Sequence, residues 1–176
     1  MDILFTSNEK FWSRAFRFLS KEPVSHLAFR FNINEFTFTI DCSTVGCRLM
    51  TWDKFKTLNN SIHEVILETD PELESLLFGR CLKLVGYPYD MGAYKYGIYR
   101  GLLRLLFKLP IPKINRWSSP GEFACTEIFV PIKDILHQEY LISFYEINLD
   151  MTSPYEIFKI LSEGNSNGLL SSDRGV

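Results

Sequence analysis

Residues 25 to 42 constrain the fold of this chain more than any other stretch. Ser25-His26-Leu27-Ala28-Phe29-Arg30-Phe31 reads as a strand, Asn32-Ile33-Asn34 as a turn, and Glu35 to Cys42 as a second strand, together a hairpin. In the second strand Phe36, Phe38 and Ile40 alternate with Thr37, Thr39 and Asp41, the two-residue period of a strand with one apolar and one polar face. The aromatic face has to be buried against other elements, so an antiparallel sheet with one face covered is expected. The polar face sends Asp41 away from the aromatic layer and toward His26 across the ladder, with Thr39 as a competing hydrogen-bond partner.

Around this hairpin the pattern alternates between strands and helices. Met1 to Phe5 starts as a short apolar strand, and Phe11, Trp12, Ala15, Phe16 and Leu19 follow at helical spacing to about Ser20, with Ser7 or Asn8 as N-cap. Gly46 marks a turn before Cys47 to Met50, Asp53 to Leu58 suits a short helix or turn, and Ile62 to Glu68 a strand. Asp70-Pro71 opens a helix with Leu73, Leu76, Leu77, Cys81, Leu84 and Val85 on its apolar stripe and Gly86 as its cap. Asp90 suits the N-cap of an apolar, aromatic segment reaching Leu109, in which Gly92, Gly97 and Gly101 weaken the helical pattern before Pro110 and Pro112 end it. Tyr140 to Leu149 reads as a strand, and Ser153-Pro154-Tyr155-Glu156 opens a last helix. Residues 1 to 162 are expected to form one domain, and the Gly, Asn and Ser of residues 163 to 176 a flexible tail.

Composition excludes several classes. The chain of 176 residues carries a net charge of −2, against a general nucleic-acid binder. It has no uninterrupted apolar run of the roughly 20 residues that cross a bilayer, and its start is too short and acidic for a signal peptide, so a cytoplasmic location is expected. Its four cysteines show neither a CxxC pair nor a paired framework; reduced thiols are expected, with no metal and no cofactor. The segment 95–108 spaces Lys95, Arg100, Arg104 and Lys108 among leucines, which admits either a peripheral contact with an anionic membrane or a half-buried helix whose basic side chains snorkel.

Cys125 lies where a Ser-Ser-Pro-Gly turn passes through Glu122-Phe123-Ala124 into an apolar run that reads as a helix start. There it meets unpaired backbone N–H groups and the positive end of the helix dipole, which favour thiolate over thiol. A buried core thiol is the bland alternative. His26 suits the partner imidazole, whereas His63 and His137 lie in polar surroundings and read as surface residues.

Several segments, in order and spanning the chain to about Leu161, resemble the circularly permuted papain-like cysteine hydrolases of the NlpC superfamily, in particular the YiiX-like branch; lecithin retinol acyltransferase is a more distant relative. They are Asp2-Ile3-Leu4-Phe5, Trp12-Ser13-Arg14-Ala15, Pro23-Val24-Ser25-His26-Leu27-Ala28, Ile40-Asp41 ahead of Gly46, Gly86-Tyr87-Pro88-Tyr89-Asp90, Phe123-Ala124-Cys125-Thr126-Glu127 and Thr152-Ser153-Pro154. The resemblance implies an α+β fold with the sheet packed against the helix carrying the cysteine. It assigns Cys125 as nucleophile, His26 as base and Asp41 as the orienting acid, with Tyr87 or Tyr89 as an oxyanion donor and Ser25 and Thr126 beside the substrate. The family pattern has Glu where this chain has Asp41 and Ser where it has Thr126, and Pro131 falls inside the cysteine helix. The implied activity is hydrolysis of an amide or ester in a peptide, amide or acyl-lipid substrate through an acyl-enzyme. The alternatives are a lipid-directed thioester acyltransferase or phospholipase at a membrane surface, and a catalytically silent peptide-binding module.

Overall fold

The structure, a computed structural model, describes residues 1–103, 117, 119, 121–142, 144–145, 147–149, 151–164 and 170–172. Six strands, β1 (Asp2–Ser7), β2 (His26–Ile33), β3 (Phe36–Ser43), β4 (Gly46–Thr51), β5 (Asn60–Leu67) and β6 (Leu170–Ser172), form one antiparallel sheet in the order β4-β3-β2-β1-β5-β6. The helices are α1 (Phe11–Ser20), α2 (Trp52–Leu58), α3 (Pro71–Leu82), α4 (Met91–Leu102), α5 (Lys133–Tyr140) and α6 (Pro154–Gly164), with a 3-10 segment, Cys125–Ile132, leading into α5. This is an α+β fold. No described helix is long and apolar enough to cross a membrane.

The two-residue period sorts the side chains onto two faces, but both are covered along the middle of the sheet: Thr39 and Asp41 of the polar face are fully buried, while Phe36 of the aromatic face is exposed at the hairpin end. Ile3 and Phe5 of β1 and Leu27, Phe29 and Phe31 of β2 join the main core with Leu77 of α3, Phe129 of the 3-10 segment, Leu136 of α5 and Ile157 of α6. Leu4 and Ala28 point to the opposite face, where Phe55 of α2 covers them. β1 therefore has neighbours on both edges and both faces, which is why all six of its residues are buried. Asp70 caps α3 by accepting from Leu73 N–H at 2.7 Å, and Asp90 caps α4 by accepting from Gly92 and Ala93 N–H at 2.7 and 3.1 Å. Ser153 and Glu156 form a reciprocal box at the start of α6, with N···O distances of 2.9 and 3.1 Å. Glu156 also pairs with Arg100, tying α6 to α4.

Gly97 and Gly101 do not break α4; they let α1 approach it. A Cβ on Gly97 would stand 2.9 Å from the Phe16 ring, and one on Gly101 2.8 Å from Leu19 Cβ. Arg104, Lys108, Pro110 and Pro112 lie outside the described residues.

Other expectations are corrected. The N-cap of α1 is Lys10, in extended conformation; Asn8 lies two residues earlier and accepts from Lys10 N–H at 3.1 Å. α3 stops at Leu82, and Gly86, at φ +95°, turns the chain so that its N–H reaches the Cys47 carbonyl at 2.8 Å. The run carrying Cys125 is a 3-10 helix, since Pro131 has no N–H for an α-helical bond and its ring would crowd the Glu127 carbonyl. Among the described residues of Tyr140 to Leu149 there is no strand. Ile135, Leu136 and Tyr140 bury one side of α5, and Leu141, left-handed at φ +56°, closes that helix by donating to the His137 carbonyl at 3.1 Å. Within the stretch expected as a tail, α6 extends to Gly164 and Leu170–Ser172 pairs with the free edge of β5.

The expectation of four reduced thiols is overturned as well: Cys42 and Cys47 are joined as a disulfide. They are direct partners in the β3–β4 ladder. Cys47 turns its N–H and carbonyl outward to Tyr87 and Gly86, so it makes no ladder bonds with Cys42. That is the closer kind of antiparallel pairing, and the Cα atoms are 3.9 Å apart.

Phe129 is fully buried between Phe29 and Phe144, with ring centroids at 4.9 and 4.6 Å. Phe129→Ala is expected to lower unfolding free energy by about 3–5 kcal/mol, read from the urea midpoint.

Candidate active site

β3 and β4 set the position of Asp41. The tight connection through Gly46, at φ +100° with the Tyr87 carbonyl 2.9 Å from where a Cβ would lie, pairs Cys42 with Cys47 and hence Asp41 with Arg48. Direct partners share a face, so the Arg48 guanidinium reaches the Asp41 carboxylate in bidentate fashion, Nε to Oδ1 at 2.7 Å and NH2 to Oδ2 at 3.0 Å. On its other side Asp41 is opposite Ala28, two residues along β2 from His26 and on the same face. The diagonal is short enough for the aspartate to span: His26 Nε2 stands 2.9 Å from Asp41 Oδ2. The methylene by which Asp falls short of Glu is therefore made up by the register. Thr39 is opposite Arg30 and Met50 and takes no part.

Asp41 is completely buried. Burial alone would push its pKa up, but the hydrogen bonds from His26 and Arg48 outweigh that and hold it below the usual carboxylate value. An ionised carboxylate only accepts, so His26 Nε2 carries a hydrogen, and Cys125 lines the same cavity as the ring. Burial lowers the imidazole pKa; the hydrogen bonds to Asp41 and to Cys125 more than reverse this and raise it to about 9.

Cys125 heads the 3-10 segment and is 7% exposed. The turn into the segment is fixed by Glu127, whose carboxylate accepts from Ala124 N–H at 2.7 Å while its own N–H donates to the Ala124 carbonyl at 3.1 Å. Thr126 then anchors the segment by donating to the Leu149 carbonyl at 2.5 Å. These contacts aim Cys125 across the end of β2 at His26.

A cavity of about 200 Å³ opens at this end of the sheet and is lined by Cys125, His26 and Asp41. Ser25, Thr126 and Tyr89 also line it, Tyr89 being held by a single bridge to Phe123. Tyr87 does not. Its ring packs edge-on against Phe123 at 5.3 Å and is half exposed, so of the two tyrosines only Tyr89 borders the space. His63 stacks on Phe158 at 4.3 Å and is half-buried rather than a surface residue; His137 is exposed beside Tyr145. Among the described residues no cluster of three or more His, Cys, Asp or Glu is placed to hold a metal ion.

Arg48 is the residue that sequence reasoning missed. Its signal is the hairpin itself, since pairing Cys42 with Cys47 around Gly46 leaves Arg48 no neighbour on β3 other than Asp41. Neither a family model nor a curated protein matches this chain. A thiol, an imidazole and a carboxylate meet at the wall of one cavity, the imidazole and carboxylate joined by a hydrogen bond.

Because the folded pKa of His26 lies above its ordinary value of 6.5, the contribution of this group to stability is complete below pH 6.5 and is lost as the pH rises through about 9. Wild-type protein is expected to lose melting temperature across that window, and Asp41→Asn, which removes the anion that holds the proton, to lose less. Parallel melting curves across the same pH range check this.

Proposed function

We propose that this protein is a cysteine hydrolase, of a circularly permuted papain-like kind, that cleaves an amide or ester bond through an acyl-enzyme. The observation that carries the reading is the buried imidazole of His26 hydrogen-bonded to the Asp41 carboxylate, with the Cys125 thiol at the wall of the same cavity. The order of the residues along the chain, base first and nucleophile last, is consistent with the permuted arrangement.

In this mechanism His26 holds the proton of Cys125 as an imidazolium beside the thiolate, and Sγ forms a bond to the carbonyl carbon of the substrate while the carbonyl π pair moves onto oxygen. The first N–H groups of the 3-10 segment have no intrahelical partner, so the Cys125 N–H is one donor for that oxyanion. Collapse of the tetrahedral adduct breaks the bond to the leaving amine or alcohol, which takes the proton from His26. Water, deprotonated by the same imidazole, then attacks the thioester and frees the acid. Asp41 keeps Nε2 protonated and the ring in plane throughout, and Arg48 keeps Asp41 from turning.

The chain has two free cysteines, and burial pushes the thiol of Cys81 far up, leaving Cys125 as the one for a thiol-directed reagent. An acyloxymethyl ketone is expected to label the wild-type protein once, and Cys125→Ala not at all. His26→Ala should slow labelling by roughly 10²-fold or more. Equal labelling of the Cys125→Ala protein, with its melting temperature unchanged, refutes the assignment.

A further inference from the structure

The cavity wall carries a hydrogen-bond donor that nothing among the described residues uses. Asn59 ends α2 and precedes β5, is 9% exposed, and lines the same cavity as Cys125. Its orientation follows from its neighbours. Asn8 Oδ1 accepts from Lys10 N–H at 3.1 Å, so the other end of the Asn8 amide is the nitrogen. That nitrogen donates to Asn59 Oδ1 at 3.3 Å, which leaves Asn59 Nδ2 as the free end, buried and without a partner among the described residues. A buried amide N–H2 with no acceptor is costly to keep, and few such groups persist without a reason.

A second donor stands on the same side of the cavity. Ser13 and Ser25 both line it and their hydroxyls are 2.5 Å apart. One proton bridges the two oxygens, so one of the two O–H groups is left to point elsewhere. Ser13 already accepts from Asn8 N–H at 3.3 Å, and Ser25 is anchored by its N–H to the Thr6 carbonyl at 3.0 Å, so the pair is fixed beside the Asn8–Asn59 link. This part of the wall offers donors, and its ligand has to bring acceptors.

Position along the sheet gives the spacing. Thr6 of β1 is opposite His26 of β2, and Ser7 is opposite Asn60, the residue after Asn59. Thr6 is also opposite Ser61, so Asn59 stands two strands across and two residues along from His26, about 12 Å at the ordinary strand separation and rise. An extended peptide advances about 3.3–3.6 Å per residue, so its carbonyl about three residues from the attacked bond falls at that distance. Resting on the hydrolase reading above, we propose that Asn59, with the Ser13–Ser25 pair, forms a substrate subsite that accepts a backbone carbonyl of a peptide, making the substrate a peptide or peptidyl amide rather than an acyl lipid.

The test compares three alkylating agents that differ only in what lies beyond the reactive carbon. These are iodoacetamide, an N-acetylated tripeptidyl chloromethyl ketone, and a fatty-acyl chloromethyl ketone of similar length with no further carbonyl. In wild-type protein the tripeptidyl reagent should alkylate Cys125 faster than either of the others. In Asn59→Asp, which keeps the acceptor for Asn8 and removes the donor, the ratio of tripeptidyl to iodoacetamide rates is expected to fall about tenfold, the worth of one hydrogen bond of this kind. Asn59→Ala is a second variant in case the added carboxyl disturbs folding.

A fatty-acyl reagent that matches or outruns the tripeptidyl one, or a ratio unchanged in both variants, overturns the subsite. Loss of Cys125 reactivity toward iodoacetamide in His26→Ala reports on the hydrolase reading separately. Binding gives an arm that needs no reactive thiol: in the Cys125→Ala protein, an N-acetylated tripeptide amide is expected to shift the Asn59 side-chain N–H2 signals in a ¹H–¹⁵N spectrum. Signals that stay still at saturating peptide overturn the proposal even if Cys125 proves unreactive.

Discussion

A carboxylate cannot be taken wholly out of water unless its charge and its lone pairs are met, and Asp41 is fully buried. Its position is tolerable because a guanidinium from β4 and an imidazole from β2 meet it on two sides, at 2.7 to 3.0 Å. The dependence runs both ways. Without Arg48 the carboxylate would lose its bidentate partner; without Asp41 the imidazole would lose the larger of the two interactions that favour its charged form. The two ladders flanking β3 thus have to keep their registers together, because a slip of one residue in either would carry Asp41 or its partner to the other face.

The sheet order explains how residues far apart in sequence reach one place. β1 lies between β2 and β5, so the end of β1, the start of β2 and the residue before β5 share one edge. α1 and α4 close over that edge because Gly97 and Gly101 let them approach. The 3-10 segment packs Ile128, Phe129 and Ile132 into the main core and leaves its first two residues, Cys125 and Thr126, at the cavity. Packing of the far end thereby positions the near end. An α-helix over the same residues would advance 1.5 Å per residue instead of about 2.0 Å and turn each side chain by a different angle, so Pro131 influences where Cys125 stands through the type of helix it permits.

Much of this was legible in the sequence, and the reasons are local. Alternation in β3 placed Asp41 on the face opposite Ile40, and Asp70, Asp90 and Ser153 announced their helices because a side-chain oxygen before a helical run has few other uses. The position of Cys125 after a turn was readable for the same kind of reason. What could not be read depends on tertiary contact. Tyr140 to Leu149 looked like a strand because Leu141, Ile142 and Phe144 are apolar, yet Leu141 is a left-handed, exposed residue, and Ile142 and Phe144 pack onto the core after it without forming a strand. The glycines of α4 counted against a helix by propensity, and only the neighbouring α1 shows why they are needed. Arg48 and Asn59 carry no motif. Each acquires its role from a partner across a ladder or at the end of a helix, a relation that one-dimensional patterning does not contain.

The disulfide between Cys42 and Cys47 belongs to this chain of dependence and not to global stability. It closes a loop with a sequence separation of 5, for which the loss of unfolded-state entropy is worth about 2 kcal/mol, near the low end for such bonds. Its neighbours point to a local role. Cys42 adjoins Asp41, Cys47 adjoins Arg48, and the Cys47 backbone is held on its outer side by Tyr87 and Gly86. The covalent link and the two outer hydrogen bonds together prevent the β3–β4 ladder from shifting at the point where the carboxylate and its guanidinium must stay opposite each other. With β4 at the edge of the sheet, one side of that ladder would otherwise be free to slide. The device that fixes the acid is thus built into the backbone of the strand pair beside it, one residue removed from the groups it aligns.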